Sequence, residues 1–143
     1  MTIEWKPCNM PTLTPALPGG GKRIEFVTAV FGAKIEHLYP APGGGVAHAE
    51  IRLGESLLMT GDPMGEHVLP AGALQIYVPD VDAAFQRALA AGASAKEEPK
   101  DQFWGDRSAR VIDPFGNQWS ISTHVEDVSA EEINRRMEAL MGG

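Results

Sequence analysis

Alternation of hydrophobic and polar positions predicts short strands, separated by stretches with the spacing of helices. Val46–Leu53 alternates without a break, which is the pattern of a β-strand with one buried face. Its two faces carry Ala47, Ala49, Ile51 and Leu53 on one side and His48, Glu50 and Arg52 on the other. Apolar residues in segments 22–31 and 80–91 recur every three or four positions, which predicts two amphipathic helices. A third helix is expected at about 129–141, where Ser129-Ala130-Glu131-Glu132 has the pattern of a capping box.

The remaining strands form two series in the same order. We expect them at 12–17, 33–39, 56–60, 74–78, 94–97, 107–112 and 118–123. Gly32 and Gly92 follow the first two helices, Gly54 and Gly116 precede the last strand of each series, and the offset is about 60 residues in both cases. Chance placement of glycines is the alternative. The near-constant offset favours a duplicated βαβββ unit.

The duplication predicts the fold class. A four-stranded unit cannot bury both faces of its sheet, so two units are expected to pair. We therefore expect an α+β fold in a single domain over residues 1–143, with one module at about 12–61 and another at about 73–124. The two modules would form a curved eight-stranded mixed sheet that encloses a cup, with the helices outside and a C-terminal helix added.

Composition and charge narrow the function. The 143 residues suit one domain, and the formal net charge of −7 argues against binding to nucleic acid or to an anionic membrane surface. No apolar run approaches the ~18 residues of a membrane-spanning helix. Cys8 is the single cysteine, so the chain has no disulfide framework and no cysteine-based zinc site. A cytoplasmic location is expected.

Several segments resemble one superfamily. Two segments resemble the second module of vicinal-oxygen-chelate proteins, the glyoxalase, bleomycin-resistance and dioxygenase superfamily. They are residues 80–93, which include the predicted second helix, and the turn Asp113-Pro114-Phe115-Gly116-Asn117 with the following Gln118-Trp119. Segments 48–54, 101–107 and 119–128 resemble its PhnB-like branch. The resemblance covers roughly residues 13 to 138. Val27 departs from it, because an aromatic residue is usual at that position. The resemblance implies a homodimer, and the C-terminal helix is a candidate to pack across it.

The resemblance also raises the question of a metal. In metal-bearing members it implies His and Glu ligands on the first and last strands of each module, all facing the cup. Counting from the glycine turns places these positions at Leu58 and Ser120 on the last strands, and at Ala73, with Gln75 nearby, and near Thr12 on the first strands. None of these positions holds His, Asp or Glu. Neutral Gln and Ser are poor ligands for a divalent cation, and Leu and Ala are not ligands at all. No metal site and no cofactor are therefore predicted.

His48 and Glu50 are the leading candidates for chemistry. Both side chains leave the same face of one strand, so they are able to share a metal or a proton. The alternative, which we favour, is that Glu50 pairs with Arg52 or Arg110 while His48 makes an ordinary hydrogen bond. If Glu50 is partly buried, its pKa would rise toward that of a general base, which makes it the one catalytic candidate.

Other residues are candidates for ligand binding. Gln75 and Tyr77 alternate on one strand and are expected to line the cup with Ser120, above an apolar floor at Leu58. A satisfied polar network within the core is an equally good interpretation. Trp104 lies in a glycine-flanked loop that would cover the mouth of the cup or pack against a partner subunit.

The charged and remaining aromatic residues have more ordinary expected roles. Arg52 and Arg110 would bind an anionic ligand or pair with carboxylates, and Arg107 has the same alternatives, with pairing favoured. Trp119 is expected in the core. His124 follows the last strand, where hydrogen bonding in a turn is favoured over catalysis.

Three functions follow from these expectations. The leading one is a protein that binds a small-molecule ligand in a metal-poor cup, either sequestering it or acting on it without a metal. The second is a divalent-metal enzyme (Ni, Zn, Mn or Fe) that works as an isomerase, lyase or dioxygenase. The third is a non-catalytic interaction subunit.

Overall fold

The chain forms two compact units, residues 1–71 and 72–143. The computed structural model describes residues 3–66 and 68–142. Each unit contains a βαβββ sequence of elements, and the second also carries a C-terminal helix. The predicted α+β class, the duplicated unit and the mixed pairing of eight strands are confirmed, and the hydrogen bonds divide the strands into two sheets of four. No helix among the described residues is long and apolar enough to span a bilayer.

The first unit is a four-stranded sheet with one helix. Its elements are β1 (Ala16–Pro18), α1 (Gly20–Phe31), β2 (Lys34–Pro40), β3 (Val46–Leu53) and β4 (Ser56–Gly61). The strand order is β1-β4-β3-β2, with β1 parallel to β4 and the other pairs antiparallel. The predicted bounds of β3 are confirmed, because its alternation is the clearest in the chain.

Helix α1 begins two residues before its predicted start. Gly19 and Gly20 have φ values of 123° and 52°, which a side chain would resist, so the glycine run begins the helix rather than only preceding it. Gly32 ends α1 in the left-handed conformation, as predicted, and its N–H donates to the carbonyl of Thr28. The buried face of the helix includes Phe26 and Val27.

The second unit repeats this arrangement. Its elements are β5 (Ala73–Tyr77), α2 (Val81–Ala90), β6 (Ser94–Asp101), β7 (Asp106–Ile112), β8 (Gln118–His124) and α3 (Ala130–Met141). The strand order is β5-β8-β7-β6, with β5 parallel to β8. Its core contains Trp119 and Ile121, as expected for Trp119, whose indole N–H donates to Asp113 Oδ2 at 2.8 Å.

Side-chain caps begin the last two helices. The Asp80 carboxylate accepts a hydrogen bond from the backbone N–H of Ala83, and the Ser129 hydroxyl accepts one from Glu132. The cap predicted at Ser129 is therefore confirmed. Every described residue of α3 is at least partly exposed, including its apolar residues Leu140 and Met141. Packing of α3 across a dimer stays a prediction.

Strand β6 is longer than predicted. We expected it to end at Glu97 and a loop to begin at Pro99, but the strand continues to Asp101. Proline lacks the N–H that a central strand needs, whereas β6 lies at the edge of its sheet, and its pairing with β7 is irregular between Glu97 and Lys100. The edge position and the irregular pairing together accommodate Pro99.

Candidate functional site

Each sheet has one face against its own helix and a second face, which we call its open face. In the first sheet the Thr60 hydroxyl accepts a hydrogen bond from the N–H of Gly20 at the start of α1, so Thr60 lies on the helix side. Side chains alternate along a strand, which places the neighbours of Thr60 on the open face. The register then assigns the open face to Ala16, His37, Tyr39, His48, Glu50, Arg52, Leu57 and Met59.

A hydrogen-bonded pair lies at the centre of this open face. His48 Nε2 is 3.0 Å from Glu50 Oε2, and the His48 side chain is 40% exposed against 16% for Glu50. The ring of Tyr39 lies beside His48, with centroids 6.0 Å apart, and His37 stacks on Tyr39. The favoured prediction that Glu50 pairs with an arginine is therefore wrong, because its partner is the imidazole on its own strand. The hydrogen bond expected of His48 is confirmed.

The two arginines pair instead with the neighbouring edge strands. Arg52 Nε donates to Glu36 on β2 at 2.8 Å, and Arg110 donates to Glu97 on β6 at 3.4 Å. The hydrogen bond and positive charge of Arg52 lower the pKa of Glu36. Pairing with a carboxylate, the favoured alternative for Arg110, is confirmed, and Arg52 pairs with Glu36 instead of Glu50.

Two cavities of about 310 Å³ each adjoin the open face of the first sheet. The first adjoins His48 and is lined by Ala16, Ala47, Met59, Thr60, Gly61, Asp62, Met64 and Leu69. The second adjoins Glu50, and the N-terminal residues Pro7, Cys8, Asn9 and Met10 form one of its walls with Glu36, His37, Tyr39, Arg52 and Leu57. The His48–Glu50 pair thus has one member in each cavity.

Leu58 does not belong to this face. The register places it opposite Ile51 on the helix side, where it is buried, and Met59 takes the position opposite Glu50. The prediction of Leu58 as a cavity floor is therefore wrong. Counting from the glycine turns failed because the two glycines are not equivalent: Gly116 lies four residues before Ser120, whereas Gly54 lies five residues before the equivalent Met59.

The open face of the second sheet is almost entirely polar. Gln75 and Ser120 lie opposite each other on β5 and β8, and Tyr77 lies opposite Ser122, so the predicted grouping of Gln75, Tyr77 and Ser120 on one face is confirmed. Gln75 Nε2 donates to Ser122 Oγ at 3.3 Å. Arg110 lies opposite Ser120 on the same face.

Asp106 organises one end of this face, and the sequence analysis missed it. Its buried carboxylate accepts hydrogen bonds from Tyr77 Oη at 2.8 Å, Trp104 Nε1 at 3.1 Å and His124 Nδ1 at 2.9 Å. Burial alone would raise the pKa of Asp106, but these hydrogen bonds, that of His124 first, bring it below its ordinary value. The hydrogen bond that Tyr77 donates to the Asp106 carboxylate raises the pKa of Tyr77. Trp104 is 37% exposed, and its hydrogen bond to Asp106 holds the indole beside the start of β7.

His124 connects Asp106 to the segment after β8. Its Nε2 lies 2.7 Å from Asp127 Oδ1, so each ring nitrogen faces a carboxylate. A neutral imidazole has one donor and one acceptor nitrogen, and an ionised carboxylate only accepts, so this arrangement favours the imidazolium. The hydrogen bonds of Asp106 and then Asp127 accordingly raise the pKa of His124.

We expect His124 to titrate above its ordinary pKa of 6.5. Because the folded-state pKa is raised, the stability that the imidazolium contributes is fully present below the unfolded-state value and is lost as pH rises through the folded-state value. Histidine ring-proton signals followed by NMR between about pH 5 and pH 9 measure this. Asp127→Asn should lower the pKa of His124, because it removes one of the two carboxylates that raise it. A His124 pKa at or below 6.5 would contradict the assignment.

The fold and these faces define the class of the protein. Two βαβββ units, each with a four-stranded mixed sheet, one helix-covered face and one open face, make this an α+β protein of two repeated modules. The chain belongs to the Glyoxalase/Bleomycin resistance protein/Dioxygenase superfamily, whose sequence pattern matches residues 21–121. The predicted resemblance is thereby confirmed.

Individual relatives agree with this assignment. An uncharacterized protein from Mycobacterium bovis is 34% identical over 148 residues, which covers 96% of each chain. The crystal structure of TioX from Micromonospora sp. ML1 matches with a TM-score of 0.65 at 24% identity and covers 81% of this chain and 100% of its own. A PhnB protein from Bacillus cereus matches with a TM-score of 0.63 at 19% identity, covering 79% and 99%. At these identities the two solved structures show the fold alone.

The positions on the first and last strands at which the resemblance implies metal ligands do not hold residues that fit a divalent cation. On the open faces, Ala16 lies beside Met59 in the first unit and Gln75 beside Ser120 in the second. Methyl, thioether, amide and hydroxyl groups are unsuited to the metals that His and Glu bind. Within residues 3–66 and 68–142, no group of three or more His, Cys, Asp or Glu side chains is placed to hold a metal ion. Metal independence stays a prediction.

Proposed function

We propose that this protein binds a small organic molecule against the open face of its first sheet, without a divalent metal. The observation that carries the proposal is the cavity of about 310 Å³ beside the hydrogen-bonded pair of His48 and Glu50. Small-molecule sites are typically concave, mostly apolar and equipped with a few fixed polar groups, and this volume falls at the lower end of their range. The preferred ligand is therefore small.

The lining indicates the chemistry of the ligand. Met59, Met64 and Leu69 supply apolar surface, and the flexible thioethers adapt to different shapes. His48 and Asp62 supply the polar contacts, and Asp62 is held in place because its Oδ2 accepts from the N–H of Val46 at 2.6 Å. The wall favours a molecule with an apolar body and at least one polar group.

Glu50 serves as a positioning residue for His48 in this proposal. An ionised carboxylate only accepts, so Glu50 selects the imidazole tautomer with hydrogen on Nε2 and leaves Nδ1 as an acceptor. The ligand would then donate a hydrogen bond to His48 Nδ1. Catalysis by Glu50 stays a prediction, and the binding proposal does not depend on it.

A thermal-shift screen tests the proposal. A compound present at ~100 times its Kd should stabilise the fold by ~2.7 kcal/mol. Hits are expected to bind at least about tenfold more weakly to Met59→Arg, which places a charged side chain in the cavity. Ala16→Leu, which fills the same space without charge, should also weaken them. Met137→Arg on exposed α3 is the matched control and should leave binding unchanged.

Two results would contradict the proposal. One is a set of hits that bind Met59→Arg and Ala16→Leu as tightly as the unmodified chain. The other is a broad library of small apolar and aromatic compounds in which nothing shifts the unfolding transition.

A further inference from the structure

A row of polar side chains crosses the open face of the second sheet. Gln75 on β5 lies opposite Ser120 on β8, Ser120 opposite Arg110 on β7, and Arg110 opposite Glu97 on β6. Adjacent strands are ~4.8 Å apart, so these four side chains stand in one line across the sheet. Each of them carries a hydrogen-bonding group.

The matching row of the first sheet has different chemistry. It contains Ala16, Met59, Glu50 and His37, in the same order across the strands. Glu50 and Arg110 thus occupy equivalent positions in the two units, one with a carboxylate and the other with a guanidinium. The open face of the second sheet therefore favours a different kind of ligand from that of the first.

Arg110 retains donors for a ligand. Its contact with Glu97 is single and long, at 3.4 Å, and its side chain is 44% exposed. By contrast, Arg107 makes two hydrogen bonds to Asp82, at 2.8 and 3.0 Å. A guanidinium carries five N–H donors in a planar fork, which fits the two oxygens of a carboxylate. Most donors of Arg110 are thus available for such a group.

Ser120 and Gln75 provide groups next to the fork. Ser120 is half-buried, and its hydroxyl has no hydrogen-bond partner among the described residues. Amides and hydroxyls both donate and accept, as do the hydroxyl groups of a polyhydroxylated molecule.

We propose that the open face of the second sheet binds the carboxylate end of a small polyhydroxylated acid. Arg110 holds the carboxylate, and Ser120 and Gln75 bind the adjoining hydroxyl groups. A carboxylate suits the site better than a phosphate, because the planar fork of one arginine matches its two oxygens, Glu97 is nearby, and the chain has a net charge of −7. This inference rests on other residues, in another unit, than the proposed function.

NMR of the ¹⁵N-labelled full chain, titrated with sodium gluconate at constant ionic strength, tests this site. Saturable shifts are expected at the amides of residues 75, 110 and 120. Sorbitol, which lacks the carboxylate, and acetate, which lacks the hydroxyls, should each bind at least about tenfold more weakly.

Variants assign the contacts. Arg110→Ala should weaken gluconate binding at least about tenfold. Arg110→Lys keeps the charge but loses the planar fork, so its affinity for gluconate should lie between those of the unmodified chain and Arg110→Ala. Ser120→Ala should weaken gluconate but not acetate. Arg135→Ala, on exposed α3, is the matched control and should leave the affinity for gluconate unchanged. The proposal is overturned if the shifts do not saturate, if Arg110→Ala leaves them unchanged, or if inorganic phosphate binds more tightly than gluconate.

Discussion

Replacing Trp119 by alanine is expected to lower the free energy of unfolding by about 4 kcal/mol. The indole is 2% exposed and packs in the core of the second unit beside Ile121 and Val111, both fully buried. Its removal leaves a large cavity and takes away the donor to Asp113 Oδ2. Urea unfolding followed by circular dichroism measures the loss.

Two further variants make the Trp119 result interpretable. Trp119→Phe keeps most of the packing and loses the N–H donor, so it should lower the free energy of unfolding by less than Trp119→Ala does. Its free energy of unfolding can therefore still be measured if the alanine variant does not fold. Trp5→Ala removes an indole that is 78% exposed and should leave stability unchanged. A loss below about 1 kcal/mol for Trp119→Ala would show that the core is not packed as described.

Replacing Asp106 by asparagine is expected to cost about 3 kcal/mol at neutral pH. The carboxylate accepts three hydrogen bonds in a buried setting, and the amide that replaces it brings two N–H groups toward existing donors. The substitution also removes the negative charge of Asp106 beside His124. Since the pKa of Asp106 is lowered, its contribution is present above the unfolded-state value of 3.8 and is lost as pH falls through the folded-state value.

The matched control for Asp106 is Asp127→Asn. Asp127 contacts the other nitrogen of His124 but is fully exposed, so its replacement should change stability little. Urea unfolding of both variants at neutral pH gives the comparison. Equal effects at the two positions would contradict the buried, organising role of Asp106.

The regular elements were predictable because their signals are local. The alternation of β3 and the caps at Asp80 and Ser129 depend on residues within a few positions of one another. The glycines after the helices then made the duplicated unit visible. Such features need no knowledge of distant contacts.

The site was harder to predict because it depends on register. Gly54 lies one residue further from its open-face position than Gly116 does, which was enough to misplace Leu58 by one position. A one-residue shift moves a side chain to the other face of a sheet. Asp106 was missed because two of its three donors, Tyr77 and His124, are 29 and 18 residues away along the chain. The local signals were its position directly before the strand predicted at 107–112 and the presence of Trp104 two residues away.

Duplication followed by divergence explains the difference between the two open faces. Equivalent positions hold Met59 and Ser120, and also Glu50 and Arg110. The sheet is retained in both units because its helix-covered face remains apolar, while the open face is free to change. One fold thus presents an apolar surface with a His–Glu pair and a polar surface with an arginine.

Metal dependence of ligand binding tests the central claim most directly. The chain, purified without chelator, would be analysed for Ni, Zn, Mn and Fe, and the affinity of a hit from the thermal-shift screen would be measured before and after treatment with EDTA. We predict substoichiometric metal and an unchanged affinity. Stoichiometric metal whose removal abolishes binding would contradict the account.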